Sequence, residues 1–67
     1  MKISARNQLK GKVVSVQLGA IMAEVEVDVG GQKLVSVITK HSAEDLKLAA
    51  GDAITVVIKS TEVMIGK

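Results

Sequence analysis

Between Ala23 and Val29 the chain alternates without exception. Ala23, Val25, Val27 and Val29 fall on one side, and Glu24, Glu26 and Asp28 on the other. Successive side chains of an extended strand point to opposite faces, so this stretch predicts a half-buried strand with a charged outer face. Gly30-Gly31 then interrupts the pattern, a hairpin signal. The run from Lys33 to Thr39 carries Leu34, Val35, Val37 and Ile38, is rich in β-branched residues and reads as the return strand.

Strand signals continue on both sides of this hairpin. Gln8 to Leu18 predicts an earlier strand, with Val14, Val16 and Leu18 on one face and Val13, Ser15 and Gln17 on the other. Gly11 inside it points to a bulge or a close backbone approach. Asp52 to Ser60 predicts a later strand with Ile54, Val56 and Ile58 facing inward; Val63-Met64-Ile65 extends or terminates it. One segment breaks the β character. Ser42 reads as a helix N-cap, with Glu44 and Asp45 in the first turn and Gly51 as the stop. The predicted order is β-β-β-α-β, with room for a short extra strand at the N-terminus. Short strands, Gly turns and one small helix before the last strand suggest an all-β fold, a small, partly open barrel of the OB type, as a single domain over residues 1–67.

Composition narrows what such a barrel can do. With no Cys, the chain lacks disulfides, zinc fingers and thiol chemistry, and His41 is its only histidine. The longest apolar run is Ala20 to Ala23, far below the roughly 18 residues that span a bilayer. No secretory signal is visible, and the chain reads as soluble and cytoplasmic, with no membrane partner. A 67-residue domain with no aromatic residue and no Cys has few means of stabilising itself alone, so oligomerisation is expected.

Catalytic machinery is hard to find, and no enzyme activity is expected. His41 has no Cys partner and no Ser or acid tied to it by a known motif. The row Glu24, Glu26, Asp28 reads as a solvated strand face rather than a hard-metal site. The three methionines read as core fillers. Binding of single-stranded nucleic acid on an OB barrel relies on aromatic stacking, which this chain cannot supply, so no nucleic-acid partner is expected despite a net charge of +2. A small anion fits better. Ser4-Ala5-Arg6-Asn7, Thr39-Lys40-His41-Ser42 and Lys59-Ser60-Thr61 each offer hydroxyl donors, and two of the clusters set a cation, Arg6 or Lys59, near a Ser. Many donors with two or three cations suit a fully ionised tetrahedral oxyanion.

The opening Ser4-Ala5-Arg6-Asn7-Gln8-Leu9-Lys10-Gly11-Lys12-Val13 resembles the signature of the molbindins, the small molybdate-binding proteins of the Mop family. The resemblance runs through Ala23-Glu24-Val25, Val35 to Thr39 and Val57 to Thr61 as far as Val63-Met64-Ile65-Gly66. It implies a five-stranded OB-like barrel assembled as a homo-hexamer, a trimer of dimers. It also implies molybdate or tungstate held between subunits through its oxygens, with no protein ligand to the metal atom and no cofactor. Carried over by position, Ser4 and Arg6 with Lys59 and Ser60 form one wall of the site. Thr39 and Ser42 of a neighbouring subunit close it, and Ala5, Asn7 and Ala43 offer backbone N–H groups. Some members bind further oxyanions on the three-fold axis. There the resemblance points to the turn Gly19-Ala20-Ile21-Met22, with Met22 where relatives often place a small polar residue.

The anion's chemistry agrees with such a site. Molybdate near neutrality is an unprotonated dianion that only accepts hydrogen bonds. Arg6 and Lys59 offset its charge while Ser and Thr hydroxyls rotate to donate. Phosphate carries protons that a donor-only site leaves unpaired, at a cost of about 1–3 kcal/mol. Sulfate lacks that penalty and has to be excluded by its smaller size. Storage or homeostasis of the oxyanion is the expected role. A molybdate-sensing module is the alternative, as related domains occur in a molybdate-responsive regulator and a molybdate-import ATPase.

Overall fold

The computed structural model describes residues 1–67. Its centre is the hairpin read from the alternation: β2 (Met22–Val29) and β3 (Gln32–Thr39) pair antiparallel with Val29 opposite Gln32. Gly30 and Gly31 form the turn with φ of 63° and 91°, values that side-chain-bearing residues rarely adopt. The Gly31 N–H donates to Asp28 Oδ1 at 2.8 Å, so the last acid of the alternating run locks the turn.

The first strand, β1 (Asn7–Leu18), serves two partners in succession. Its first half, Asn7–Lys12, pairs antiparallel with β4 (Ala53–Ile58), and Lys12–Leu18 pairs antiparallel with β2. The strand order is β3-β2-β1-β4. Where β1 changes partner, its register with β2 shifts between Val13 and Ser15. The sequence pattern placed Val14, Val16 and Leu18 on one face and Val13 on the other. The bulge corrects that: Val13 is 2% exposed and Val16 packs against the same cluster, while Val14 and Leu18 face out. An extra residue in one strand resets its two-residue phase, which no alternation count reveals. Gly11 lies just before the bulge, where a Cβ would stand 2.7 Å from the Asp28 carbonyl oxygen and 2.8 Å from Val27 and Val29. This is the close backbone approach that the glycine signalled.

The core is Val13, Val25 and Val27, with Ile38 from β3 and Ile54 and Val56 from β4 packed against it. Strands at opposite ends of the sheet order thus cover one cluster, which means that the sheet curls on itself. The result is an OB-like all-β fold left open between β3 and β4, with the helix inserted between those two strands.

The helix differs from expectation at both ends. α1 spans Lys40–Asp45, and its N-cap is Thr39, not Ser42. Thr39 ends β3 with extended φ and ψ, so its Oγ1 already points at the first turn and accepts from the Ser42 N–H at 3.0 Å. Glu44 and Asp45 consequently fall in the last turn. Lys47, at φ 52°, turns the chain off the helix, ahead of Gly51. Gly51 instead serves the loop that meets the bulge: its N–H donates to the Val13 carbonyl, and the Val13 N–H donates to the Asp52 carbonyl.

β4 stops at Ile58, and a 3-10 turn, Ser60–Glu62, follows. Neither Val63–Ile65 nor the residues before Asn7 form a strand. One chain therefore forms four strands rather than the five of the expected barrel. Met1, Met22 and Met64 are all exposed and fill no core, since they sit at the chain's terminal segments and on the outer side of the β2 start.

Only five residues are fully buried, and the accessible surface is 5523 Å². A compact chain of 7.0 kDa exposes about 4,000 Å². The radius of gyration, 12.4 Å, likewise exceeds the about 11 Å of a compact domain this long. No helix is long and apolar enough to cross a membrane.

Candidate functional site

The ladder between β1 and β4 assembles the first part of the site. Asn7 pairs with Ile58, so the residues preceding β1 and those following β4 emerge side by side. Ser4, Ala5, Arg6 and Asn7 together with Lys59 and Ser60 line an open cleft of about 400 Å³. Six residues named from two distant stretches of sequence thus meet at one place. Gln8, which carries no expected ligand role, holds the first stretch in shape. Its Nε2 donates to the Ala5 carbonyl at 2.8 Å, and its N–H donates to the Arg6 carbonyl at 3.0 Å. On the other side the Glu62 N–H donates to the Lys59 carbonyl at 2.9 Å, closing the 3-10 turn under Ser60.

The cleft carries two cations and two Ser hydroxyls, and no carboxylate lines it. The chain's ion pairs lie elsewhere: Lys33 with Glu26 at 3.4 Å and His41 with Asp45 at 3.2 Å. Arg6 and Lys59 take part in neither pair and are free to meet whatever enters the cleft. Charge-assisted donors around open space, with no competing acid, suit an oxyanion chemically.

Thr39, Ser42 and Ala43 form a separate group and do not line this cleft. Thr39 Oγ1 lies 2.8 Å from Ser42 Oγ and also accepts the Ser42 N–H. One of the two hydroxyl protons is spent between the oxygens, so the pair can present one further O–H to a ligand, not two. Ala43 is buried, which leaves its backbone alone to act. The turn Gly19–Met22 adjoins this group. Gly19 N–H donates to the Met22 carbonyl and Lys40 N–H to the Ile21 carbonyl, both at 2.7 Å, and Met22 pairs with Thr39. The hollow beside that turn is lined by Gln17, Glu24 and apolar groups but by no cation, so one chain alone offers an oxyanion no positive charge there.

The other polar candidates are engaged in structure. Glu26 reaches Lys33 across the strands, and Asp28 holds the hairpin turn. His41 meets Asp45 one turn along α1, with both side chains exposed.

The chain is similar to several known proteins. Residues 3–65 match the family model described as "TOBE domain". Molybdenum-pterin-binding protein 3 of Clostridium pasteurianum is 56% identical over 66 residues, covering 97% of each chain. The structure of a molybdate-binding protein from Sporomusa ovata superposes with a TM-score of 0.95 at 42% identity and covers all of both chains. That of MopII from Clostridium pasteurianum gives 0.92 at 49% identity, covering 98% of this chain and 100% of the other.

Proposed function

The chain belongs to the TOBE-domain family, and from that premise we propose that it binds molybdate, and tungstate alike, as a free oxyanion in the cytoplasm. The observation that carries the reading is the cleft of Ser4, Arg6, Lys59 and Ser60, with two cations, two hydroxyls and no carboxylate. Relatives of nearly the same length are named molybdenum-pterin-binding protein or molybdate-binding protein, which supports a molybdenum oxyanion as the ligand here.

Arg6 and Lys59 offset the two negative charges, and Ser4 and Ser60 donate to oxygens they flank. Backbone N–H groups of Ala5 and Asn7 add donors. The anion sits between subunits, with Ser42 of a second copy donating from the far side while Thr39 caps the helix and fixes Ser42. Ala43 contributes backbone only. A homo-hexamer built as a trimer of dimers repeats this arrangement. The sparse core and the surplus of exposed surface support assembly. The Gly19–Met22 turn forms an axial site only where symmetry copies converge, and the hydrophobic Ile21 and Met22 make it a poor one. The protein buffers or stores the oxyanion without turning it over.

Titration calorimetry of the pure protein with molybdate, tungstate, sulfate and phosphate tests the proposal. Saturable heat with molybdate and tungstate, weaker with sulfate and phosphate, is expected. Equal binding of all four anions, or of none, removes it.

A further inference from the structure

Ser4, Ala5 and Arg6 precede β1, so no strand ladder orients their peptide planes. Gln8 does so instead. Its side-chain Nε2 donates to the Ala5 carbonyl at 2.8 Å, and its own N–H donates to the Arg6 carbonyl at 3.0 Å. Two successive carbonyls are thereby turned toward one residue. The second bond closes a three-residue turn around Asn7 and needs only main chain. The first depends wholly on the Gln8 side chain. Gln8 is exposed and does not line the cleft, whereas the segment it holds does.

In a planar trans peptide the C=O of one residue and the N–H of the next point in opposite directions. With the Ala5 carbonyl drawn toward Gln8, the Arg6 N–H has to face away from Gln8. That N–H makes no hydrogen bond within the chain. It belongs to a residue that lines the cleft. The Ser4 hydroxyl and the Arg6 and Lys59 side chains have to be ordered when an anion arrives, which costs binding energy. A main-chain N–H held from behind is ordered beforehand.

We propose that Gln8 is a positioning residue for the oxyanion: its hold on the Ala5 carbonyl aims the Arg6 N–H into the cleft. Arg6 then serves the anion twice, by main-chain donor and by charge, and only the first of these passes through Gln8. The residue type fits the task. A Gln amide donates without carrying charge and is long enough to reach back three residues. A Glu of the same length only accepts and repels the carbonyl, while a Lys brings a third cation that competes for the anion. The inference rests on the oxyanion reading of the cleft.

Gln8→Met keeps the side-chain length and removes the amide. Gln32→Met, at an exposed position in β3 away from the cleft, is the control. Molybdate affinity is measured by calorimetry, thermal stability by circular dichroism, and the Arg6 amide proton by NMR of the nitrogen-15-labelled protein during the titration. In the parent the Arg6 amide should move downfield on saturation, as an N–H does when it donates to an anion. Gln8→Met should melt as the parent does, lose about three- to tenfold in affinity, the range of one neutral hydrogen bond, and show a smaller Arg6 shift. Gln32→Met should bind as the parent does. The Gln8→Met loss should recur in an Arg6→Ala background, since Ala keeps the N–H and discards the guanidinium. A parent that binds molybdate with the Arg6 amide unmoved overturns the inference alone, and so does a Gln8→Met protein of parental affinity. Disappearance of the Gln8→Met loss in the Arg6→Ala background also overturns it, because Gln8 would then act on the guanidinium. A parent that binds no molybdate defeats the oxyanion reading, and this inference with it.

Discussion

Asn7 stands directly opposite Ile58 in the ladder between β1 and β4. That one pairing brings Arg6 beside Lys59 although more than fifty positions separate them in the chain. The two cations share the cleft with Ser4 and Ser60. Like charges so placed repel each other when nothing lies between them, and a dianion turns that repulsion into attraction.

Arg6→Ala is expected to weaken molybdate binding by about 2–5 kcal/mol, because the dianion loses a charge-assisted donor in a partly desolvated place. Folding should be little affected, since Arg6 forms no ion pair in the chain. Calorimetry with circular dichroism checks both points. A folded variant that binds as tightly as the parent removes Arg6 from the site.

Thr39 and Ser42 should separate by role. Thr39→Ala removes the cap and is expected to cost about 0.5–2 kcal/mol of stability, with Thr39→Ser restoring it. Ser42→Asp keeps a residue well tolerated in a first helical turn but sets a carboxylate against the dianion. It should fold normally and lose at least about tenfold in molybdate affinity, equivalent to 1.4 kcal/mol. Unchanged affinity in a stable Ser42→Asp protein shows that Ser42 does not touch the anion.

Gly11→Ala should destabilise the fold by about 1–3 kcal/mol, because the new methyl group meets a backbone carbonyl at 2.7 Å rather than a side chain able to move aside. Chemical denaturation measures the loss. A neutral substitution shows that β1 and β2 can separate at this point without cost.

Light scattering in dilute buffer should give about six times the chain mass of 7.0 kDa. A folded monomer at micromolar concentration contradicts both the assembly and the shared site.

Phosphate should bind less well near neutrality than a fully ionised oxyanion of similar size. Its proton finds no acceptor among Arg6, Lys59 and the Ser hydroxyls already committed as donors, a penalty of about 1–3 kcal/mol. Competition titrations measure the difference. Phosphate displacing molybdate at equal concentration indicates that the cleft supplies an acceptor.

Much of the fold was legible along the chain because its signals are local. The acid–apolar alternation of Ala23–Val29 sets which face of β2 is buried, and Gly30-Gly31 supplies the backbone freedom of the turn. Ile54, Val56 and Ile58 face inward as their spacing required. The charged and hydroxylated clusters were equally visible, since residue type alone states what a side chain can donate. Three features depended on contacts between distant segments. The bulge after Val13 changes the phase of β1 because β1 must leave β4 for β2, a constraint set by its partners rather than by its own residues. Thr39 displaces Ser42 as the cap because β3 delivers it to the helix in an extended conformation, whereas either residue suits the position by type. The meeting of Ser4–Asn7 with Lys59–Ser60 follows from the register of two strands, and register is a property of a pair that neither strand's sequence contains.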